Sequence, residues 1–233
     1  KDSAEYKNVF RSGISVGNTR YSVWILNTYL NFLHQFSDRF SASAKIDGQY
    51  RTGALTQVIG LSDLTVSFSY RIAKQMAIIA GGKIPLHPAN RTLEGKATPM
   101  AYQTSLGTYD LILGAQYSFR QFAIASAWQQ PLIQNKNEFL SENFPIEQIK
   151  KKYVETNQYQ RAGDVLLRFT YQHKLQNTKR LSFMYSIMPI YHFDNDFYSD
   201  QHNNRIEIKN SRGLTLNLNA FMKYEIQPSS GLE

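Results

Sequence analysis

From residue 39 to residue 72 the chain alternates between apolar and polar side chains over runs too long for an ordinary strand. Phe40, Ala42, Ala44, Ile46, Gly48 and Tyr50 share one parity, while Arg39, Ser41, Ser43, Lys45, Asp47, Gln49 and Arg51 take the other. After an interruption, Leu64, Val66, Phe68, Tyr70 and Ile72 oppose Asp63, Thr65, Ser67, Ser69 and Arg71. Successive side chains of an extended segment point to opposite faces, so each run has one apolar and one polar side. Strands of soluble sheets average about five or six residues. These runs are about twice as long, matching the roughly 9–11 residues that cross bilayer hydrocarbon at a tilt. The pattern predicts a lipid-facing apolar side and a water-facing lumen.

Composition agrees with this reading. The mean hydropathy is −0.42, and no run of about 18 apolar residues could form a spanning helix. A membrane barrel has this property because its polar lining dilutes the average. Cysteine is absent, which removes disulfides and thiolate metal sites and suits passage through an oxidising periplasm. The 15 Tyr, 14 Phe and 2 Trp suit interfacial girdles, as they would a soluble β-sandwich. The +8 formal charge is scattered rather than striped, so nucleic acid is not an expected partner. The chain opens KDSAEYK with no signal peptide, as a processed form would. One domain over residues 1–233 is expected.

Further runs follow the same scheme at 5–16, 20–36, 75–86, 107–119, 163–175, 180–192 and 213–226, and a run at 122–132 is of ambiguous parity. Segment 20–36 is apolar on both parities, so a buried helix competes with a strand; its β-branched and aromatic content favours the strand. Short turns near 37–38, 73–75, 120–121 and 176–179 alternate with long polar loops at 53–60, 87–106, 133–161 and 193–212. Short periplasmic turns and long external loops are the habit of outer-membrane barrels. Phe36, Phe40, Tyr70, Tyr117, Phe119, Phe122, Tyr171, Phe183 and Tyr224 fall near the short turns, and Trp24, Tyr50, Trp128 and Tyr191 near the opposite rim. The expected fold is all-β: a transmembrane antiparallel up-and-down barrel of about 10–12 strands. Twelve would require a last hairpin after QPSSGLE, a segment that could equally be foreign to the native chain.

The segments NFLHQFSDRFSASAKI, GLSDLTVSFSYRI (residues 60–72) and IIAGGKIPLHP, with a similar cadence at LGTYDLILGAQYSF and RAGDVLLRFTYQHKL, resemble an outer-membrane family. It is the family named for the meta-pathway of phenol degradation, related to the long-chain fatty-acid transporters. The closest motif is Gly60-Leu61-Ser62-Asp63-Leu64, and the likeness runs from about residue 20 onward. It implies a bacterial outer-membrane barrel that moves small, often hydrophobic compounds. The alternative is a non-transporting barrel subunit of a larger envelope assembly. Outer-membrane lipid and lipopolysaccharide, a small hydrophobic ligand and envelope proteins are the expected partners.

The expected lumen lining is Lys45, Asp47, Arg51, Asp63, Arg71, Asp110, Asp164, Arg168, Lys174, Lys223 and Glu225. Mixed charges serve either as a selectivity lining or as a salt-bridged filling; a narrow barrel favours the filling over a wide porin-like bore. Asp63, Asp110 and Asp164 are the carboxylates placed to meet basic partners. Asp194, Asp196, Asp200 and His202 have spacing suggestive of calcium, but Tyr198 stands where a ligand is needed, so a solvated loop is expected and no metal or cofactor. Residues 141–156 put Ile146, Ile149, Tyr153 and Val154 at helical spacing beside Lys150-Lys151-Lys152, as in an amphipathic loop helix or a lipopolysaccharide contact. No enzyme is expected: His34 and His173 sit on the apolar parity, and His192 is about 20 Å along its strand from Ser186. The Gly81-Gly82 pair marks either a kink or a weak place in the wall.

Overall fold

The computed structural model describes residues 7–19, 21–144, 152–174 and 181–224. Ten long strands form one antiparallel sheet in the order β1-β2-β3-β4-β5-β8-β9-β10-β11-β14, so each strand pairs with its nearest long neighbours in sequence. The strands are β1 (Asn8–Asn18), β2 (Trp24–Gln35), β3 (Phe40–Thr52), β4 (Gln57–Ala73), β5 (Met76–Pro85), β8 (Tyr109–Phe119), β9 (Phe122–Ile133), β10 (Asp164–Lys174), β11 (Leu181–His192) and β14 (Gly213–Tyr224). Two small hairpins lie in the loops: β6 (Thr92–Leu93) with β7 (Lys96–Ala97), and β12 (Asp196–Ser199) with β13 (Arg205–Ile208). The sheet is a half-barrel, and among the described residues its edges β1 and β14 are not paired with each other. Within segment 20–36, Trp24–Gln35 form a strand rather than a helix: β2 pairs with β1 and β3 along its length.

The alternation sorts the two faces. Phe10, Ile14, Ile59, Leu214 and Leu218, exposed by 69, 75, 73, 70 and 71 %, stand on the outer face with the apolar parity of the other strands. Aromatic contacts tie neighbouring strands there, as in the stacked rings of Phe40 and Phe68 at 6.2 Å. The inner face carries the polar parity, including the Ser43–Ser67 hydroxyl pair at 2.9 Å across β3 and β4. Along β5, β8 and β9 it is also small-residued, with Ala77, Gly81, Gly114, Ala123, Ala125 and Ala127 in register.

One expected loop is not a loop. Residues 57–60, placed in a long loop from the sequence, belong to β4, and only 53–56 connect β3 to β4. The cause is a β-bulge: Ile46 faces Leu64, but Gly48 faces Leu61, so Ser62 and Asp63 together oppose Asp47. The extra residue reverses the parity, and Ile59 and Leu61 become the outward residues above it. Both Ser62 and Asp63 are buried on the inner side.

The long connections also differ from solvated polar loops. They contain the apolar core, in which Tyr102, Phe139, Phe144 and Tyr153 pack with Val23 and Ala97. A sheet with its apolar side turned outward has no apolar interior, so these loops bury their aromatics against one another. Of the expected loop helix at 141–156, residues 145–151 fall outside the described residues. Its described parts are a 3-10 turn at Ser141–Asn143 and the core residue Tyr153.

Candidate functional site: a charge ladder beneath interlocked loops

Three loops meet over the inner face at the long-loop end. Loop 86–108 joins loop 134–163 through Asn137, whose amide nitrogen donates to the carbonyls of Ala89 (2.8 Å) and Thr98 (3.1 Å). The Tyr102 and Tyr153 hydroxyls lie 3.1 Å apart across the same seam. Loop 134–163 meets loop 193–212 through paired backbone bonds between Gln160 and Phe197, at 2.8 and 2.9 Å, and through Tyr159, which donates to Asp196. Burial and the hydrogen bond to Tyr102 push the Tyr153 phenol above its usual range; burial and the adjacent Asp196 do the same for Tyr159. Both phenols therefore remain protonated, and Tyr159 is the donor to Asp196.

Beneath these loops the inner wall holds a ladder of charges. Lys83 on β5 stands 3.2 Å from Asp110 and 3.8 Å from Asp63. Asp110 accepts from Gln129 at 2.5 Å and lies 3.4 Å from Arg161, which is 2.9 Å from Asp164. His192 Nδ1 donates to Asp164 at 2.5 Å, with Nε2 3.1 Å from Thr215 Oγ1. The side chains of Asp110, Asp164 and Arg161 are only 0, 7 and 14 % exposed, so the charges must compensate one another locally. The ladder also holds the loops: Ser105 donates to Asp63 at 2.5 Å, and Arg161 belongs to loop 134–163. Arg51 adds a third tie, donating to the carbonyls of Met100 (3.3 Å) and Ala101 (2.9 Å).

The expected lining residues thus divide. Asp63, Asp110 and Asp164 enter one network, while Lys45 pairs with Asp47 on its own strand at 2.8 Å and lies over the Tyr29 ring at 5.1 Å. Arg51 grips loop 86–108 rather than a carboxylate. Arg71 and Arg168 lie toward the short-turn end, away from the ladder. Glu225 falls outside the described residues, as do the side chains of Lys174 and Lys223. Lys83 and Arg161 were not singled out in the sequence. Lys83 was legible as the polar member of an otherwise apolar inward set, with Asp110 opposite in register; Arg161 precedes Asp164 by three residues.

The remaining candidates resolve as local structure. Asp200 accepts backbone bonds from His202 and Asn204 at 2.8 Å each and so closes its own turn, and Asp196 binds Ala162 N at 3.0 Å. Among the described residues no three metal-type ligands converge. His34 packs edge-on against Phe36, and His173 stacks on Tyr171. The Asp164–His192–Thr215 chain has the order of a hydrolytic triad, but its members link β10, β11 and β14 within the ladder, with Thr215 on an edge strand. Gly81 and Gly82 are fully paired in the sheet; a Cβ on Gly81 would meet Val66 O at 2.5 Å, so these glycines permit close strand approach. No family model matches the chain, and neither does any curated protein.

Proposed function

We propose that the chain is a bacterial outer-membrane β-barrel, closed with ten or twelve strands, that moves small, mainly hydrophobic compounds. The observation that carries the reading is the two-faced sheet: ten antiparallel strands expose large apolar residues on one side and turn their charges to the other. In water such an outer face would be an aggregation surface, whereas hydrocarbon solvates it. Closure follows from the same physics, because the backbone groups of unpaired edges would lie in lipid without partners. The resemblance to the phenol meta-pathway family supports the transport role. The interlocked loops favour a second reading, a non-transporting subunit of an envelope assembly, since they cover one mouth of the lumen.

The test is made on protein purified in detergent. A closed barrel migrates differently on a denaturing gel before and after boiling, and its circular dichroism is almost purely β. Identical mobility and a helical spectrum would overturn the membrane-barrel reading. Uptake of a small aromatic compound by cells with and without the protein separates the two roles: a difference supports transport, and equal uptake supports the assembly subunit.

A further inference from the structure

The two ends of the inner face have different charge balances. At the long-loop end, Asp47, Asp63, Asp110 and Asp164 each have a cation within 4 Å. At the short-turn end, Arg39, Arg71 and Lys74 line a cavity of about 370 Å³ in which Asp38 is the one carboxylate among the described residues. None of these three cations has a side-chain hydrogen bond or ion pair among the described residues. Arg39 and Arg71 are held side by side, because Arg71 N donates to Arg39 O at 2.7 Å. Like charges on adjacent strands cost stability unless something neutralises them. A neighbouring cavity of about 400 Å³ shares Gln116 and Ser118 with the first and adds Arg168, which extends the basic floor across β8, β9 and β10.

We propose that this short-turn vestibule is a binding site for a small organic carboxylate, whose oxyanion is held by Arg39, Arg71 and Lys74. The proposal rests on reading the polar face as a lumen and gives that lumen a substrate class. Guanidinium groups match the two oxygens of a carboxylate, and the lysine adds a mobile point charge. Ser41, Ser69, Gln116 and Ser118 supply neutral hydrogen-bonding groups around them. Leu33, Ala77 and the rim residues Phe40 and Met76 give the same cavity an apolar flank. That flank selects an organic anion over a bare inorganic one. The vestibule is more accessible than the ladder, since its cations are exposed, so an anion meets them without breaking an existing pair.

The test is calorimetric binding of benzoate to the whole protein in non-ionic detergent at low salt. Benzyl alcohol serves as the uncharged isostere, and inorganic phosphate and phosphatidylglycerol mixed micelles serve as competing anion sources. Benzoate should bind at least tenfold more tightly than benzyl alcohol and weaken as salt is raised. Arg71→Gln and Lys74→Gln should each weaken it roughly tenfold, the worth of one close charge contact, while Arg71→Lys, which keeps the charge but not the two-oxygen fit, restores only part of the loss. Equal binding of benzoate and benzyl alcohol would overturn the proposal, as would unchanged benzoate affinity in the double Gln variant. Preference for phosphate alone would overturn the organic-solute assignment, and binding only to phosphatidylglycerol would make the patch a lipid contact. Boiled and unboiled gel mobility, run on every variant, reports the barrel independently: intact barrels without benzoate binding would sink this inference alone.

Discussion

Lys83 is the cation that two buried carboxylates share, and replacing it by Met tests whether the ladder is an energetic unit. At 3.2 Å, and with an effective dielectric constant near 20, the Lys83–Asp110 attraction is about 5 kcal/mol before desolvation is subtracted. Breaking one side of a buried pair costs about 3–5 kcal/mol. The lower end applies to Lys83→Met, because Arg161 and Gln129 still reach Asp110 and Lys83 itself is 15 % exposed. Asp110→Asn should cost a similar amount, since it leaves Lys83 and Arg161 facing an amide. If the pair acts as a unit, the double variant should be more stable than the sum of the singles by about 2 kcal/mol. Urea unfolding in micelles, followed by the fluorescence of Trp24 and Trp128, reads this as a midpoint. With a slope of about 2 kcal/mol/M, each single variant loses about 1.5 M. Additivity within about 0.5 kcal/mol would refute the shared-cation account and make the ladder a set of independent, solvent-screened contacts.

Gly81→Val should destabilise the sheet by about 2–3 kcal/mol, because its Cβ would press on Val66 O, while Gly17→Ala, with nothing within 4 Å, is nearly neutral; matched urea midpoints would contradict the close-approach reading. Tyr102→Ala should cost about 3–5 kcal/mol and expose the loops to protease, whereas Tyr102→Phe, which loses bonds to Leu55 N and Tyr153, costs about 1 kcal/mol; proteolysis rates that do not change would mean the loop core is not cooperative. Burial, and secondarily the nearby Arg91, lower the His87 pKa, so the fold binds fewer protons than the unfolded chain; loop stability is complete above about pH 6.5 and falls as pH drops below it towards the lowered value. His87→Asn should flatten that decline in a pH series of proteolysis rates, and an unchanged slope would assign the titration elsewhere. For topology, cysteines at Lys136 and Asn203 should be labelled from outside intact cells and one at Lys74 should not, with the reverse pattern inverting the orientation; Asn135 is a poor position because it is only 4 % exposed.

What was legible in the sequence is what an unbroken period of two encodes. Strand β3 can be read residue by residue because Phe40 to Tyr50 keep one parity, and the carboxylates Asp63, Asp110 and Asp164 are legible as inward because they interrupt no apolar parity. The start of β4 is not, since the bulge at Ser62 and Asp63 shifts the phase and makes Gln57 to Gly60 resemble the end of a loop. Strand β9 looked ambiguous for a different reason. Its inward Ala123, Ala125 and Ala127 are as apolar as its outward Phe122, Ile124 and Trp128, so size rather than polarity separates the faces.

The loop core was the least legible part because no periodicity governs it. Tyr102, Phe139 and Tyr153 are far apart in sequence and meet only because the β5–β8 and β9–β10 connections leave neighbouring strand pairs at the same end. Their placement depends on the ladder below. Ser105 on Asp63 and Arg161 on Asp110 and Asp164 fix where each loop enters the inner face, and the aromatics pack over those anchors. A ladder that holds loops consumes its charges in pairs. At the short-turn end the described connections are only short turns, and Arg39, Arg71 and Lys74 have no side-chain hydrogen bond or ion pair among the described residues.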